Sequence, residues 1–518
     1  MSKNNNNYVA RVSLIVALGG FLMGFDASVI SGVVGFIEPQ FNLSKLQLGW
    51  AVSCLTLTST LAMMVAGPMS DKYGRKIILK WAAVLYAVSS LASALAPSFT
   101  LLVIARMMAG LGVGASLIVA PMYIAEISPA KIRGRMVSFN QLNIVIGIST
   151  AFFTNYLILQ LAKSDSAFAE FFKFSEYNWR WMLGIETIPA ILYYFFLFFV
   201  PNSPRWLAMR GEEQKALQIL TRASNKEDAE QTIISIKESL KDVKKEQKTP
   251  LKELFKPALK LVLFIGIVIA ILQQITGINA VFFYAPMIFE QTGIGKDASF
   301  SQAILVGLTN LVFTVLAMGL IDKIGRKMLL IIGFTGIFIS MAILSFSFAS
   351  ATYQIDMQSI TSLLPGTDWS SIQGIVYNSD IEFRTAIENL IGVDAAKENL
   401  SAIVSQSISI NSWLVLIGII GFVASFAISV GPVMWVLFSE LFPNTVRGLA
   451  ISFAGFINSA VSFSVQLIFP WELSTIGNTP TFLIYGVFGL VGLIFTLIWL
   501  PETRGKSLEE VEKLMVKN

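Results

Sequence analysis

The chain contains no histidine and a single cysteine, Cys54. Without histidine, the commonest zinc ligand and the side chain that titrates near neutrality are both missing. Proton chemistry in this chain therefore falls to carboxylates. One cysteine excludes a disulfide framework within the chain and leaves the redox compartment unreadable. Charge is scarce as well. Asp, Glu, Lys and Arg make up 14% of the 518 residues, where a soluble domain carries about 25%, and 54% are hydrophobic. Mean hydropathy is +0.68. That balance calls for a solvent that is itself apolar, a bilayer. The start, MSKNNNNYVA, lacks the n-region, h-region and cleavage site of a signal peptide and reads as a short polar tail before a retained first helix.

Crossing the hydrocarbon takes about 20 apolar residues per helix. Runs of that length lie near 8–31, 46–69, 78–97, 99–125, 134–160 and 179–201, then near 258–290, 299–321, 328–350, 411–439, 448–470 and 480–500. The expected fold class is an all-α membrane protein with twelve transmembrane helices. One set of loops is dense in base: Lys72, Arg75 and Lys76; Lys131, Arg133 and Arg135; Lys323, Arg326 and Lys327; then Arg447. The opposite loops carry Lys45, Lys163, Lys173, Lys296, Arg384 and Lys397 spread over longer stretches. The positive-inside rule places the first set, both termini and the Lys- and Glu-rich segment 205–257 in the cytoplasm. Short amphipathic helices are expected in that segment. Residues 351–410, between the ninth and tenth spans, are polar to mixed and face outward. They read as a cap of small helices, either a functional lid or a tolerated surface insertion.

The chain repeats itself. DKYGRK at 71–76 returns as DKIGRK at 322–327, an offset of 251. PMYIAEISPAKIRGR from Pro121 returns loosely as PVMWVLFSELFPNTVRG from Pro432, and both copies hold an acid and an arginine seven residues apart. These are Glu126 with Arg133, and Glu440 with Arg447, and the two acids are 314 apart. The 63 residues by which the offsets differ fall between the ninth and tenth spans, where the insertion lies. PNSPR at 201–205 closes the first half and PETRG at 501–505 the second. The reading is two six-helix pseudo-repeats, 1–201 and 258–518, joined by a cytoplasmic linker at 202–257, with the outer insertion 351–410 in the second.

Six motifs in order resemble the sugar porter family of the major facilitator superfamily: GFDASVISG from Gly24, GPMSDKYGRK, PMYIAEISPAKIRGRMVSFNQ, QQITGINAVFFYAP from Gln273, GPVMWVLFSELFPNTVRG and PETRGKSLEEVE. They run from residue 24 to residue 512. The resemblance implies the major facilitator fold, with substrate held at the midplane between the halves. It also implies a gating role for Asp71, Arg75, Glu126 and Arg133, and for Asp322, Arg326, Glu440 and Arg447. Such clusters hold the inner helix ends together when the cavity opens outward. The alternative is plain positive-inside topology with surface ion pairs worth about 0–1 kcal/mol each.

A sugar presents hydroxyls and apolar ring faces, so its site needs amides, which donate and accept at once, and an aromatic platform. The seventh span supplies Gln273, Gln274 and Asn279. On a regular helix Gln274 and Asn279 stand about 140° apart and cannot share a face. A break near Gly277 would let them converge. The resemblance adds Gln141, Asn310, Trp435 and Asn458 as contacts, with Phe283 and Tyr284 on a moving outer half of the seventh span. Each lone amide can also be interhelical glue. Ser459, Phe283 and Met23 stand where relatives often have Trp, Tyr and Phe, which implies a wider or differently shaped pocket.

Asp26 and Arg106 lie inside spans, where a charge costs about 2.5–3.5 kcal/mol on insertion scales and is usually paired and functional. Proton-coupled sugar porters resemble this chain in having Asp at 26, Arg at 106 and Glu at 186. Burial disfavours the ionised Asp26 and a nearby guanidinium favours it. Separation of the pair would load a proton and re-formation would release it. A static salt bridge is the alternative. The expected function is import of a monosaccharide by alternating access with proton symport. The rivals are a facilitative sugar uniporter and a membrane sugar sensor. No enzyme is expected, since there is no histidine, nucleotide loop or nucleophile constellation. No metal site and no cofactor is expected, with the proton as coupling ion. The expected partners are the sugar and the lipid bilayer, with no nucleic acid. A monomer in the inner membrane of a bacterium completes the expectation.

Overall fold

The structure, a computed structural model, describes residues 3–245, 251–443, 446–504, 506 and 510. Asn444 and Thr445 of the tenth-span motif, most of the closing motif beyond Arg504 and the C-terminal tail, whose cytoplasmic placement was expected, lie outside the described residues.

Within lipid only a helix satisfies every backbone group inside its own segment, and among the described residues twelve helices are long and apolar enough to cross. They are Asn5–Gly32, Lys45–Tyr73, Arg75–Ala94, Phe99–Ile127, Ala130–Ala162 and Asn178–Phe199, then Pro257–Glu290, Gly295–Ile324, Arg326–Ala349, Ser412–Leu441, Arg447–Thr475 and Asn478–Trp499. Trp81, Phe199, Phe346 and Ile498 stand exposed on these helices, as lipid-facing side chains do.

The chain forms two compact units. The first comprises Met1–Val29, Cys54–Ala151 and Arg180–Leu251. Its helices cross through small residues. A Cβ on Gly24 would lie 2.0 Å from the Ile144 carbonyl, and one on Gly147 would lie 2.1 Å from that of Phe21, so the first and fifth spans touch backbone to backbone. Gly110 and Gly114 do the same for the fourth span against the second. Beneath them runs Pro204–Met209, started by the Ser203 cap and its N1 proline. Trp206 of that helix donates to the Asp71 carbonyl at 3.1 Å and covers Gly74, whose φ of 98° turns the second span into the third. The amphipathic helices Glu213–Ala223 and Lys226–Lys245 follow, burying Leu220, Ala229 and Ile233 with Leu207. These are the short helices expected under the bundle.

The second unit comprises Ile30–Ser53, Phe152–Trp179 and Lys252–Asn518. Here the seventh span breaks where Gly277 takes φ 91°, giving an inner half Lys260–Ile275 and an outer half Ile278–Glu290. The tenth span breaks too, at Ser429, between Ser412–Ile428 and Val430–Leu441. Pro432 withholds the N–H that would have bonded back to Ile428, which explains a discontinuity that the apolar pattern of the span does not show. The segment Ile30–Ser53 packs on the second half of the chain: Trp50 meets Phe463 edge to face at 6.0 Å, Lys296 stands over Phe36 at 4.7 Å, and a Cβ on Gly49 would lie 2.0 Å from the Leu467 carbonyl.

The insertion is an ordered cap. Helices Met357–Leu363, Asp380–Ile391 and Val393–Ser407 and the two-residue strands Thr352–Tyr353 and Ile408–Ser409 enclose their own core of Tyr353, Trp369, Phe383, Ile387 and Ile403. Ile408 closes over Gly293 at the end of the seventh span, and Asp380 accepts from Asn478 at the head of the twelfth.

Candidate functional site

The break at Gly277 brings the amides of the seventh span together. Asn279 donates to Gln274 Oε1 at 2.8 Å. Gln274 donates to Gln273 Oε1 and to Asn458 Oδ1, both at 3.2 Å. Asn458 returns a bond to Gln273 Oε1 at 2.7 Å and another to the Ala270 carbonyl at 2.9 Å. Gln273 reaches the carbonyls of Val430 and Gly431 at 3.4 and 3.3 Å, in the first turn of the helix that follows the break in the tenth span. Four amides from two spans thus form one continuous polar chain inside an apolar bundle.

The chain continues beyond the residues expected from sequence. Asn279 also donates to Ser462 Oγ at 2.7 Å, and Gln466 donates to the same oxygen at 2.8 Å. Asn458, Ser462 and Gln466 are spaced by four, one stripe of the eleventh span. That stripe was visible in the sequence, and only its first member was read as a sugar contact. Phe283 is buried in the outer half of the seventh span. Asn310 is buried, and among the described residues its side chain bonds within its own helix, accepting from Thr314 at 3.5 Å. Trp435 is 48% exposed, edge-on to Phe438 and packed over Gly455, and does not join the amides. Gln141 lies exposed in the first unit.

The charged residues of the first span group sit in one unit. Arg106 Nη1 faces Asp26 Oδ1 at 3.5 Å, both buried. Glu186 is buried with them in the first unit. Asp26 Oδ2 and Glu186 Oε1 have no hydrogen-bond partner among the described residues. Two carboxylates and the Arg106 guanidinium are thus buried within one unit.

Each repeat of the DKYGRK and DKIGRK motif folds into an ion-pair cluster of its own. Arg75 grips Glu126 with Nε and Nη2 at 2.9 and 2.8 Å and meets Asp71 at 2.8 Å, while Ser203 Oγ donates to the same Glu126. Arg326 pairs with Glu440 at 2.8 Å and Asp322 at 3.0 Å, and Thr503 donates to Glu440 at 2.7 Å. Ser203 and Thr503 occupy matching places in PNSPR and PETRG, a repeat seen in the sequence without its purpose. Glu502 accepts from the amides of Arg326 and Lys327 at 3.1 and 3.2 Å and so caps the ninth span with negative charge. Arg133 and Arg447 donate to the carbonyls of Ser128 and Phe442, at 3.4 and 3.0 Å. Each of those carbonyls ends a helix and needs a donor from outside it.

The profile of the sugar (and other) transporter family matches residues 12–364 and 395–515. The chain belongs to the sugar transporter family. It is 34% identical over 510 residues to the arabinose-proton symporter of Bacillus subtilis, covering 98% of this chain and 96% of that protein. It is also 34% identical to the D-xylose-proton symporter of Escherichia coli, with 98% and 96% covered. Among solved structures, the xylose transporter of E. coli in an inward open conformation superposes with a TM-score of 0.73 at 32% identity, covering 98% of this chain and all of that one. A partially occluded inward open form of that transporter gives 0.70 at 31% identity, with 96% and 100% covered. The chain is a multi-pass, all-α membrane protein of the major facilitator fold, and its family is one of transporters, not enzymes.

Proposed function

We propose that the protein imports a monosaccharide together with a proton, by alternating access, across the inner membrane of a bacterium. The sugar site is the amide chain Gln273, Gln274, Asn279 and Asn458, with Ser462 and Gln466 extending it. Gln141, Phe283, Asn310 and Trp435 are further contacts in this reading. The halves 1–201 and 258–518 rock, 202–257 links them in the cytoplasm, both termini lie there, and the protein acts as a monomer. Proton coupling belongs to Asp26, Arg106 and Glu186. The clusters around Glu126 and Glu440, with Arg133 and Arg447 at the adjoining helix ends, gate the inner side.

The observation that carries coupling is the buried triad. With both acids ionised its charge sums to one negative, which is expensive at mid-membrane. One proton makes it neutral. The 3.5 Å separation of Arg106 from Asp26 is loose for a charge-assisted bond, so a small movement separates the pair and lets the carboxyl take the proton. The chain has no histidine to compete for that role. The amides supply what an uncharged polyol needs, and relatives named for arabinose and D-xylose make pentoses the first substrates to try.

The test is uptake into proteoliposomes of a labelled panel of arabinose, xylose, glucose, galactose, fructose and myo-inositol, with and without an inward proton gradient. Wild type is expected to accumulate at least one sugar only with the gradient. Asp26→Asn is expected to exchange that sugar but not accumulate it. Uptake that merely equilibrates and ignores the gradient would establish a facilitator and remove the coupling role of the triad.

A further inference from the structure

The positive φ of Gly277 leaves open what holds that hinge in place. A Cβ on Gly277 would come within 2.7 Å of the Tyr485 ring, so the ring lies directly on the hinge backbone. Tyr485 belongs to the twelfth span and is almost wholly buried. Its ring stacks on Phe469, with centroids 6.2 Å apart and planes 20° from parallel. Phe469 in turn packs on Tyr284 of the moving outer half, at 5.2 Å. Tyr284 donates to the Gln466 carbonyl at 3.0 Å. One aromatic row therefore runs from the hinge to the outer half, beside the amide chain.

The end of that row is fixed by a carboxylate. Tyr485 Oη donates to Glu472 Oε2 at 2.7 Å. Glu472 is the last acid of the eleventh span, in its final turns, where the helix dipole disfavours negative charge. Among the described residues it has no ion pair. A half-buried acid with no cation, at the wrong end of a helix, does not stabilise the helix that carries it, yet its bond sets where the Tyr485 ring can lie.

We propose that Glu472 is a positioning residue for sugar binding. It fixes Tyr485, and the Tyr485 ring holds the Gly277 hinge at the angle that brings Asn279 onto Gln274. Neither residue touches the sugar. Loosening the ring lowers the fraction of molecules with the amides converged, and apparent affinity falls by that fraction. The rate of the rocking step does not depend on it. This rests on the proposal that the broken seventh span binds the sugar.

The experiment compares Tyr485→Phe, Glu472→Ala and Glu472→Gln with wild type, using the full-length protein. Hydrogen exchange at 277–284 is measured without sugar, and half-saturation and maximal rate of sugar counterflow are measured in proteoliposomes. Tyr485→Phe and Glu472→Ala are expected to speed exchange at 277–284 and to raise the half-saturation constant roughly tenfold, the scale of one partly screened hydrogen bond to a charged group. The maximal rate is expected to hold. Glu472→Gln keeps an oxygen for the tyrosine and is expected to restore most of the affinity. Unchanged exchange in both disrupting variants overturns the proposal, as does a Glu472→Gln variant no better than Glu472→Ala. Should Tyr485→Phe fail to fold, the two Glu472 variants decide by themselves. Should wild type carry no monosaccharide, the sugar reading fails while exchange at the hinge still tests the prop.

Discussion

Gln274 is the residue on which the amide chain turns, since it donates to Gln273 and Asn458 and accepts from Asn279. Truncating it takes the donor from buried Asn458 Oδ1 and one bond each from Gln273 and Asn279, besides the substrate contacts proposed for it, which is the costly kind of polar deletion. Among the described residues the Asn310 side chain bonds to Thr314 on its own helix alone, so its removal strands much less. Gln274→Ala is therefore expected to weaken sugar half-saturation by on the order of a hundredfold, and Asn310→Ala by less than about tenfold, as measured by counterflow. Equal effects would show that the chain is structural glue and not the site. At this scale the sequence was informative wherever a residue type is expensive in a membrane. Asp26, Arg106, Glu186 and the two glutamines stand out for that reason. Ser462 did not, because serine is common in spans and its meaning depends on two amides converging on one oxygen. Trp435 was expected by resemblance, and its distance from the amides could be known only once the tenth span was seen to break at Ser429.

The elements show the same division between what costs energy locally and what packing decides. Gly277 announced a break because Gln274 and Asn279 could not otherwise meet, whereas the break at Ser429 follows from Pro432 in a span whose apolar pattern is uninterrupted. The two ion-pair clusters were legible as repeats, but which arginine pairs with which acid was not. Arg75 and Arg326 do the pairing, while Arg133 and Arg447 cap helix ends, because an arginine seven residues after the acid starts the next helix and finds the orphan carbonyl first. The two clusters also differ in burial. The side chains of Arg75 and Glu126 are 3% and 9% exposed, those of Arg326 and Glu440 12% and 20%. Removing one partner of a buried pair costs about 3–5 kcal/mol, and the cost falls toward about 1 kcal/mol or less as the pair becomes exposed. Arg75→Ala is expected to lower the apparent melting temperature in detergent clearly more than Arg326→Ala. The reverse order, or no shift for Arg75→Ala, would mean that Glu126 finds water or another donor when its arginine is lost.

For the whole molecule, the excess of lysine and arginine on one set of loops predicts an orientation, and the orientation decides what the insertion 351–410 can do. Its helices enclose a core of their own and rest on Gly293 and Asn478, at the outer ends of the seventh and twelfth spans. The difference between the two repeat offsets located it in the sequence, but its packing could not be read there, because its apolar positions are few and scattered over three short helices. The family profile also skips part of it, residues 365–394. If the positive-inside reading is right, the cap faces outward and the amphipathic helices after Pro204 face the cytoplasm. The lone native cysteine makes this easy to check, because Cys54 is fully buried and should give little background with an impermeant maleimide. Asp368→Cys, on an exposed turn of the cap, and Lys226→Cys, at the head of an exposed linker helix, report the two faces. Labelling in intact cells is expected for Asp368→Cys alone, with Lys226→Cys labelled only after the membrane is opened. The opposite pattern would invert the molecule, place the Glu126 and Glu440 clusters outside, and turn the proposed inner gate into an outer one.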